Sequence, residues 1–279
     1  MSTELIPAAL RDVGMNKPLS EPLPRKPRKD PFLTGIAVVG AAFFVFCLVQ
    51  LNFDYIKIWN GTMKFIASLA LMFPPKADEW RHVLAAALES LQIALVGTVL
   101  AVIIAFFLSF LAAENISPRT SWLIKGFASL LRAIPTLVWA LIFIVAVGMG
   151  PFPGILAICT HAVGMLVKVF AQSIEEVDEG AVEAMRATGA GWLQIVFQGV
   201  VPSVFTSFVA WSVFRLEVDI AESSILGIVG AGGIGWEIAN AMRQYEFDQA
   251  SFVALVIFVM VFSVEFVSNR LKINIRRKG

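Results

Sequence analysis

The sequence predicts an all-α, polytopic membrane protein with six transmembrane helices, and two observations predict it. Of the 279 residues 58% are hydrophobic and only 15% are charged, with a mean hydropathy of +0.78. A soluble domain has about 45–50% apolar and about 25% charged residues. This chain has too little polar surface to cover itself in water, so lipid is the solvent for much of it. The second observation is that the apolar residues gather in long uncharged runs, each near the roughly 20 residues that a spanning helix needs. The net charge of +1 and the pI near 7.8 give no basic surface for nucleic acid.

Taken in order, residues 1–30 are polar and proline-rich, with Pro7, Pro18, Pro22, Pro24 and Pro27, and end in the basic group Arg25, Lys26, Arg28 and Lys29. They read as a disordered cytoplasmic tail without the apolar core of a cleavable signal. The first span is expected over 31–53, Pro31 to Phe53, which carries no charge until Asp54. Residues 54–82 form an outer loop. Within it Trp59, Met63, Ile66, Ala70 and Phe73 share one helical face and Lys57, Gly61, Lys64 and Ser68 the other, the pattern of a helix lying in an interface. The core, 83–270, holds five further spans. Ser90 to Ala113 is the second. Ala133 to Val167, uncharged apart from His161, is long enough to cross twice, and Gly148 to Gly154 breaks it, so spans three and four form a hairpin. Span five is placed at about Pro202 to Val218 and span six at Ala250 to Val267. Ile225 to Trp236 is too short to cross and reads as re-entrant or interfacial. Residues 271–279 form a basic tail. Cys47 and Cys159 lie far apart inside apolar runs and read as small buried hydrophobes.

Both ends are basic, which places both termini in the cytoplasm and requires an even number of spans. The loop of about 175–201, between spans four and five, is then cytoplasmic. It is acidic and helix-forming. Asp178 is suited to cap a helix start, Ala181 to Thr188 continue it, and Gly189 stops it. A second helix runs on into span five, which Pro202 enters. The product is a short projecting helix–turn–helix suited to dock on something soluble.

Charges inside the spans cost roughly 2.5–3.5 kcal/mol each on insertion scales, so each needs a reason. Arg132 sits before Pro135 at the inner end of span three and Lys168 at the matching end of span four; both have the length to snorkel. Arg215, Glu217 and Asp219 are placed at the outer end of span five, ready to pair with one another or with another span. Glu265 is expected to pair with Arg270. His161 falls near the middle of span four, either as a hydrogen-bonded structural residue or in a translocation path. Gly230, Gly232 and Gly235 have the spacing of a dinucleotide fingerprint, but no βαβ unit surrounds them. With Gly233 they read instead as a tight bend between spans five and six, a passive turn or a gate. Two histidines supply little metal chemistry, no catalytic set is visible, and no phosphate-binding loop of the GxxxxGK[ST] type occurs.

The loop resembles the cytoplasmic signature of permeases of binding-protein-dependent ABC importers: Glu-Ala-Ala, three residues, Gly, nine residues, then Ile-x-Leu-Pro. Here Glu183-Ala184-Met185, Gly189 and Gly199-Val200-Val201-Pro202 stand in register. Met185, Gly199 and Val201 depart from it. Arg186-Ala187-Thr188-Gly189-Ala190, Leu91-Gln92-Ile93-Ala94 with Gly97-Thr98, Val145 to Phe152, and Val229 to Gly235 are similar to phosphonate-type permeases, and the likeness runs from about Pro74 to the C-terminus. The resemblance implies a type I importer-permease fold in a bacterial cytoplasmic (inner) membrane. It implies that the loop helix, with Glu183, Ala184, Met185, Arg186 and Gly189 leading to Pro202, fits a cleft of an ATPase subunit. Arg132, His161, Arg215 and the glycines 230, 232, 233 and 235 are the candidates for the path or its gate. The expected partners are a second permease copy, identical or a close paralogue, ABC ATPase subunits, an extracytoplasmic substrate-binding protein, membrane lipid and a small anionic solute. No cofactor is expected in this chain; ATP and Mg belong to the partner ATPase, and the chain is not an enzyme by itself. The implied solute is a phosphonate or a related phosphorus oxyanion such as phosphite. The alternatives are an ABC permease for another small solute such as an amino acid, or a secondary transporter, which would need inverted repeats that the sequence does not display.

Overall fold

The computed structural model describes residues 31–276, and the expected tail of 1–30 lies outside the described residues. The chain divides into two units, residues 1–65 and 66–279. The first holds α1 (Pro31–Gln50) and the beginning of α2 (Tyr55–Leu71). No residue of α1 or α2 is buried, and Cys47, expected inside, is only partly covered on α1.

The regular elements of the second unit, among the described residues, are all helical. It comprises α3 (Trp80–Ala112), α4 (Ser121–Ala133), α5 (Thr136–Val147), α6 (Pro151–Glu175), α7 (Glu179–Ala187), α8 (Trp192–Gln194), a π-helical stretch (Ile195–Val200), α9 (Val201–Leu226), a 3₁₀ turn (Gly227–Val229), α10 (Ile234–Arg243) and α11 (Phe247–Arg276). Five helical stretches are long and apolar enough to cross a membrane: Pro31–Gln50, Trp80–Ala112, Pro151–Glu175, Trp192–Val229 and Phe247–Arg270. The pair α4 and α5, bent by 85°, makes a sixth as a broken span.

The break follows from Pro135. A proline has no N–H to give to the carbonyl one turn back and disfavours helical geometry in the residue before it. Ile134 is accordingly extended, at φ −90° and ψ 121°. Span three therefore begins earlier than the uncharged run, at Ser121, and carries Lys125 and Arg132 in its first limb. A second proline has a milder outcome. Pro202 leaves the helix continuous, but the turns before it widen to π-helix, and the Val201 N–H reaches back five residues to the Val196 carbonyl.

The core is centred on α3 and α6. Small residues let them approach closely, as in membrane helix pairs generally. Ala94, Ala101 and Ala105 of α3 and Ala157 and Ala162 of α6 are fully buried, and a Cβ on Gly97 would fall 2.7 Å from Ile158 Cγ2. One cluster of the core gathers Phe110, Leu166, Phe170, Ile174 and Phe208, with Phe170 and Phe208 stacked at 4.1 Å. The other gathers Ile93, Ile158, Ile220, Leu226, Ile234 and Val253. Large apolar side chains such as Phe107, Leu141, Phe205, Phe258 and Phe262 point outward, as lipid-facing residues do.

Other boundaries also differ from the sequence reading, beginning with α3, which starts at Trp80 and not at Ser90. Span five continues to Leu226, eight residues past the expected end, so Arg215 lies in the middle of α9 and not at its outer end. The last helix runs to Arg276, so much of the expected basic tail is helical. Glu265 makes no ion pair with Arg270 among the described residues; the Arg270 guanidinium lies over the Phe266 ring, 5.1 Å from its centre.

Candidate functional site

Four constructions stand out, and each grows from local sequence. The first is the loop helix α7. The Asp178 carboxylate caps its start, accepting from the Gly180 N–H at 3.2 Å. Its end is a Schellman motif: the Ala190 N–H reaches the Met185 carbonyl (3.2 Å) and the Gly189 N–H the Arg186 carbonyl (3.0 Å). Gly189 supplies the required left-handed φ of +82°. Glu183 and Ala184 are exposed, and Met185 is half-buried. Met185 explains two departures from the signature at once. A Cβ on Gly199 would fall 2.6 Å from Met185 Sδ, so the large residue where the signature has alanine fills space left by glycine where the signature has isoleucine. Arg186 turns toward the membrane helices and donates to the Asn115 carbonyl at 2.9 Å.

The second construction is the break between α4 and α5. The Leu131 carbonyl, which Pro135 cannot reach, accepts from Trp139 Nε1 at 3.1 Å. The Ile134 carbonyl lies 3.1 Å from His161 Nδ1 of α6. Backbone groups freed in lipid must find partners inside the protein, and these two side chains provide them. His161 is thus occupied with the bend. Arg132, in the last turn of α4, is exposed and takes part in no ion pair among the described residues.

The third is a polar cluster where α3, α5, α6 and α9 meet. Arg215 is 3% exposed and pairs with Asp219, which is wholly buried, and with Glu222 at 3.2 Å. Asp219 also accepts from Thr98 Oγ1 of α3 at 2.6 Å, and Glu222 accepts from Thr136 Oγ1, the first residue of α5, at 2.8 Å. Arg215 NH1 lies 3.8 Å from Met165 Sδ of α6, and its Nε finds no partner among the described residues. Glu217 stands outside this cluster, bound to Lys272 at 2.7 Å and Ser268 at 2.9 Å on α11. Arg215 is therefore held by two carboxylates and not directed at open space.

The glycine segment is a tight turn wedged between helices. Gly230, Gly232 and Gly233 have φ of +96°, +80° and +79°. A Cβ on Gly233 would collide with Ser90 Oγ, which accepts from the Ile234 N–H at 2.9 Å, and one on Gly235 with the Ser224 carbonyl. The Gly230 carbonyl accepts from the Gly150 N–H at 3.0 Å, joining this turn to the one between α5 and α6. Sequence reasoning missed Thr98, Thr136 and Glu222, yet Arg215, Asp219 and Glu222 have the i, i+4, i+7 spacing of one helix face. Ending span five at 218 hid that signal. No cluster of His, Cys, Asp and Glu suited to a metal occurs among the described residues.

An all-α chain with a broken third span, a capped helix between two spans and a buried glycine turn has the type I ABC-importer permease fold. Among solved structures it is similar to a chain of the inward-facing MetNI methionine ABC transporter (TM-score 0.63, 20% identity, 72% of this chain and 99% of that one). It is also similar to a chain of a bacterial alginate ABC transporter (TM-score 0.52, 15% identity, 87% and 97%). Residues 97–277 match the family of binding-protein-dependent transport system inner membrane components, and the chain belongs to that family. It is 36% identical over 258 residues to a putative phosphite transport system permease protein, HtxC, of Stutzerimonas stutzeri, covering 90% of each chain. To the phosphite transport system permease protein PtxC of the same organism it is 34% identical, covering 86% of this chain and 88% of that one. To the phosphate-import permease protein PhnE of Mycolicibacterium smegmatis it is 38% identical over 74% of this chain and 39% of that one.

Proposed function

We propose that the chain is the membrane subunit through which an ATP-driven importer passes phosphonates or related phosphorus oxyanions such as phosphite. The likeness to HtxC over nine-tenths of both chains carries this reading. Two copies, or this chain and a close paralogue, line the path; ATPase subunits bound at α7 hydrolyse ATP with Mg; a binding protein delivers the solute from the opposite side. The exposed Glu183 and Ala184 form the face offered to the ATPase, and Gly189 and Pro202 set where the loop helix ends and the span resumes. Arg132 serves a passing oxyanion better than Arg215, which is paired with two carboxylates in its cluster. A weak, exposed contact suits transport, since tight binding would stall release.

The test is uptake by the complex of this chain with its ATPase and binding protein in proteoliposomes. Phosphite or methylphosphonate should enter in an ATP-dependent manner and compete with each other. ATP-driven uptake of methionine with no phosphorus oxyanion transport would assign the chain to an amino-acid permease. Uptake driven by an ion gradient without the ATPase would overturn the importer reading itself.

A further inference from the structure

We propose that Arg186 is a strut that carries movement of α7 into the membrane helices, and not a contact for the ATPase. The proposal rests on the importer reading above. Arg186 is exposed, as Glu183 and Ala184 are, but its guanidinium is engaged within the protein: it donates to the Asn115 carbonyl at 2.9 Å. Asn115 lies in the short turn between α3 and α4. Its own side-chain amide donates to the Ile174 carbonyl in the last turn of α6 at 2.9 Å. The same turn is braced a second time. Lys125 of α4 binds Glu114 at 2.8 Å and Glu175 at 2.9 Å, and Glu175 accepts from the Glu114 N–H at 2.8 Å. One bonded assembly thus links α7, the end of α3, the start of α4 and the end of α6.

The consequence for coupling is mechanical. Behind α7, Met185 rests on Gly199, within the π-helical stretch that leads into α9. In front of it, Arg186 grips the turn that begins the bent α4–α5 span. A displacement of α7 is therefore delivered to two spans: α9 through packing and α4 through a charge-assisted hydrogen bond, a contact stronger than a neutral one. Because the acceptor is a main-chain carbonyl, the link depends on the donor at position 186 and not on the identity of residue 115.

The experiment uses the complete complex in proteoliposomes and reads solute moved per ATP hydrolysed, with ATPase co-purification as a separate measure. Arg186→Ala should keep the ATPase bound while lowering the transport-to-hydrolysis ratio at least tenfold, and Arg186→Lys, which retains a charged donor, should restore most of it. Loss of ATPase co-purification in step with uptake would make Arg186 a docking residue and overturn the strut; an unchanged ratio would overturn it equally. A second measurement stands if Arg186→Ala does not accumulate. With Cys47 and Cys159 replaced by serine, cysteines at positions 115 and 186 are bridged by a bifunctional thiol reagent about as long as an arginine side chain. A strut that stays closed through the cycle predicts that the bridged complex still transports, and a block on bridging that reduction reverses would overturn it. If the wild-type complex itself moves no solute with ATP, the importer reading fails, which is a different result from a lost ratio in the variant.

Discussion

Residue 199 shows how a departure from a family pattern is explained by a partner far away in the chain. The signature places alanine where this chain has Met185 and isoleucine where it has Gly199; the structure sets the two side by side. The volume has moved from one side of the contact to the other. A side chain added at Gly199 meets Met185 Sδ, the flexible end of a long side chain, so the cost of Gly199→Ile should be that of ordinary overpacking, about 1–3 kcal/mol. Met185→Ala in the same chain should recover it by restoring the signature's arrangement. The measure is thermal unfolding in detergent, with ATPase co-purification in parallel. The double variant should be more stable than Gly199→Ile alone by more than 1 kcal/mol, a coupling expected only of residues in contact. Equal stability of the two would mean that the residues do not share the space. The departures were visible in sequence, but their compensation was not, because it depends on the π-helical turn that Pro202 induces and on the direction in which Met185 leaves α7.

At the scale of helices, prolines and glycines were legible where each acts on its own neighbourhood: the stop at Gly189, the cap at Asp178 and the turn at Gly148–Gly150 are local effects. What sequence could not supply was which distant group satisfies a broken element. The break at Pro135 was not anticipated, because the run from Ala133 to Val167 reads as apolar throughout, and only packing brings Trp139 and His161 to the freed carbonyls. The same holds for Arg215. Its partners Asp219 and Glu222 lie on its own helix, while Thr98 and Thr136 come from two others, so the cluster fastens α9 to α3 and to the first residue of α5. Removing one member of a buried ion pair leaves uncompensated charge and costs about 3–5 kcal/mol. Arg215→Gln should therefore lower accumulation and thermal stability sharply, and Arg215→Gln combined with Asp219→Asn should regain part of both. Arg132→Gln, at an exposed site, should accumulate normally and slow phosphite uptake. Normal stability with slowed uptake for Arg215→Gln would return that arginine to the path, and unchanged uptake for Arg132→Gln would remove Arg132 from it.

For the whole molecule the decisive quantity is the length of α3. Its 33 residues, at 1.5 Å each, extend about 50 Å, more than the roughly 30 Å of a bilayer's hydrocarbon core. The two ends of α3 therefore lie on opposite sides. At one end the Lys76 main-chain N–H donates to the Asp248 carbonyl, in the first turn of α11. At the other, Asn115 is bound to Arg186 of α7. Ala77 and Gly191, both exposed, mark these ends. Which end faces the cytoplasm is set by basic residues, and the groups at 25–29 and 270–278 argue for the end that carries α7. In a chain whose Cys47 and Cys159 have been replaced by serine, a single cysteine at Ala77 should react with a membrane-impermeant thiol reagent applied outside intact cells. One at Gly191 should react only after the membrane is opened. Reaction at Gly191 and not at Ala77 would invert the molecule and put α7 out of reach of any ATPase. Reaction at both from outside would mean that α3 does not cross, and the bent span and the polar cluster built on it would then need another setting.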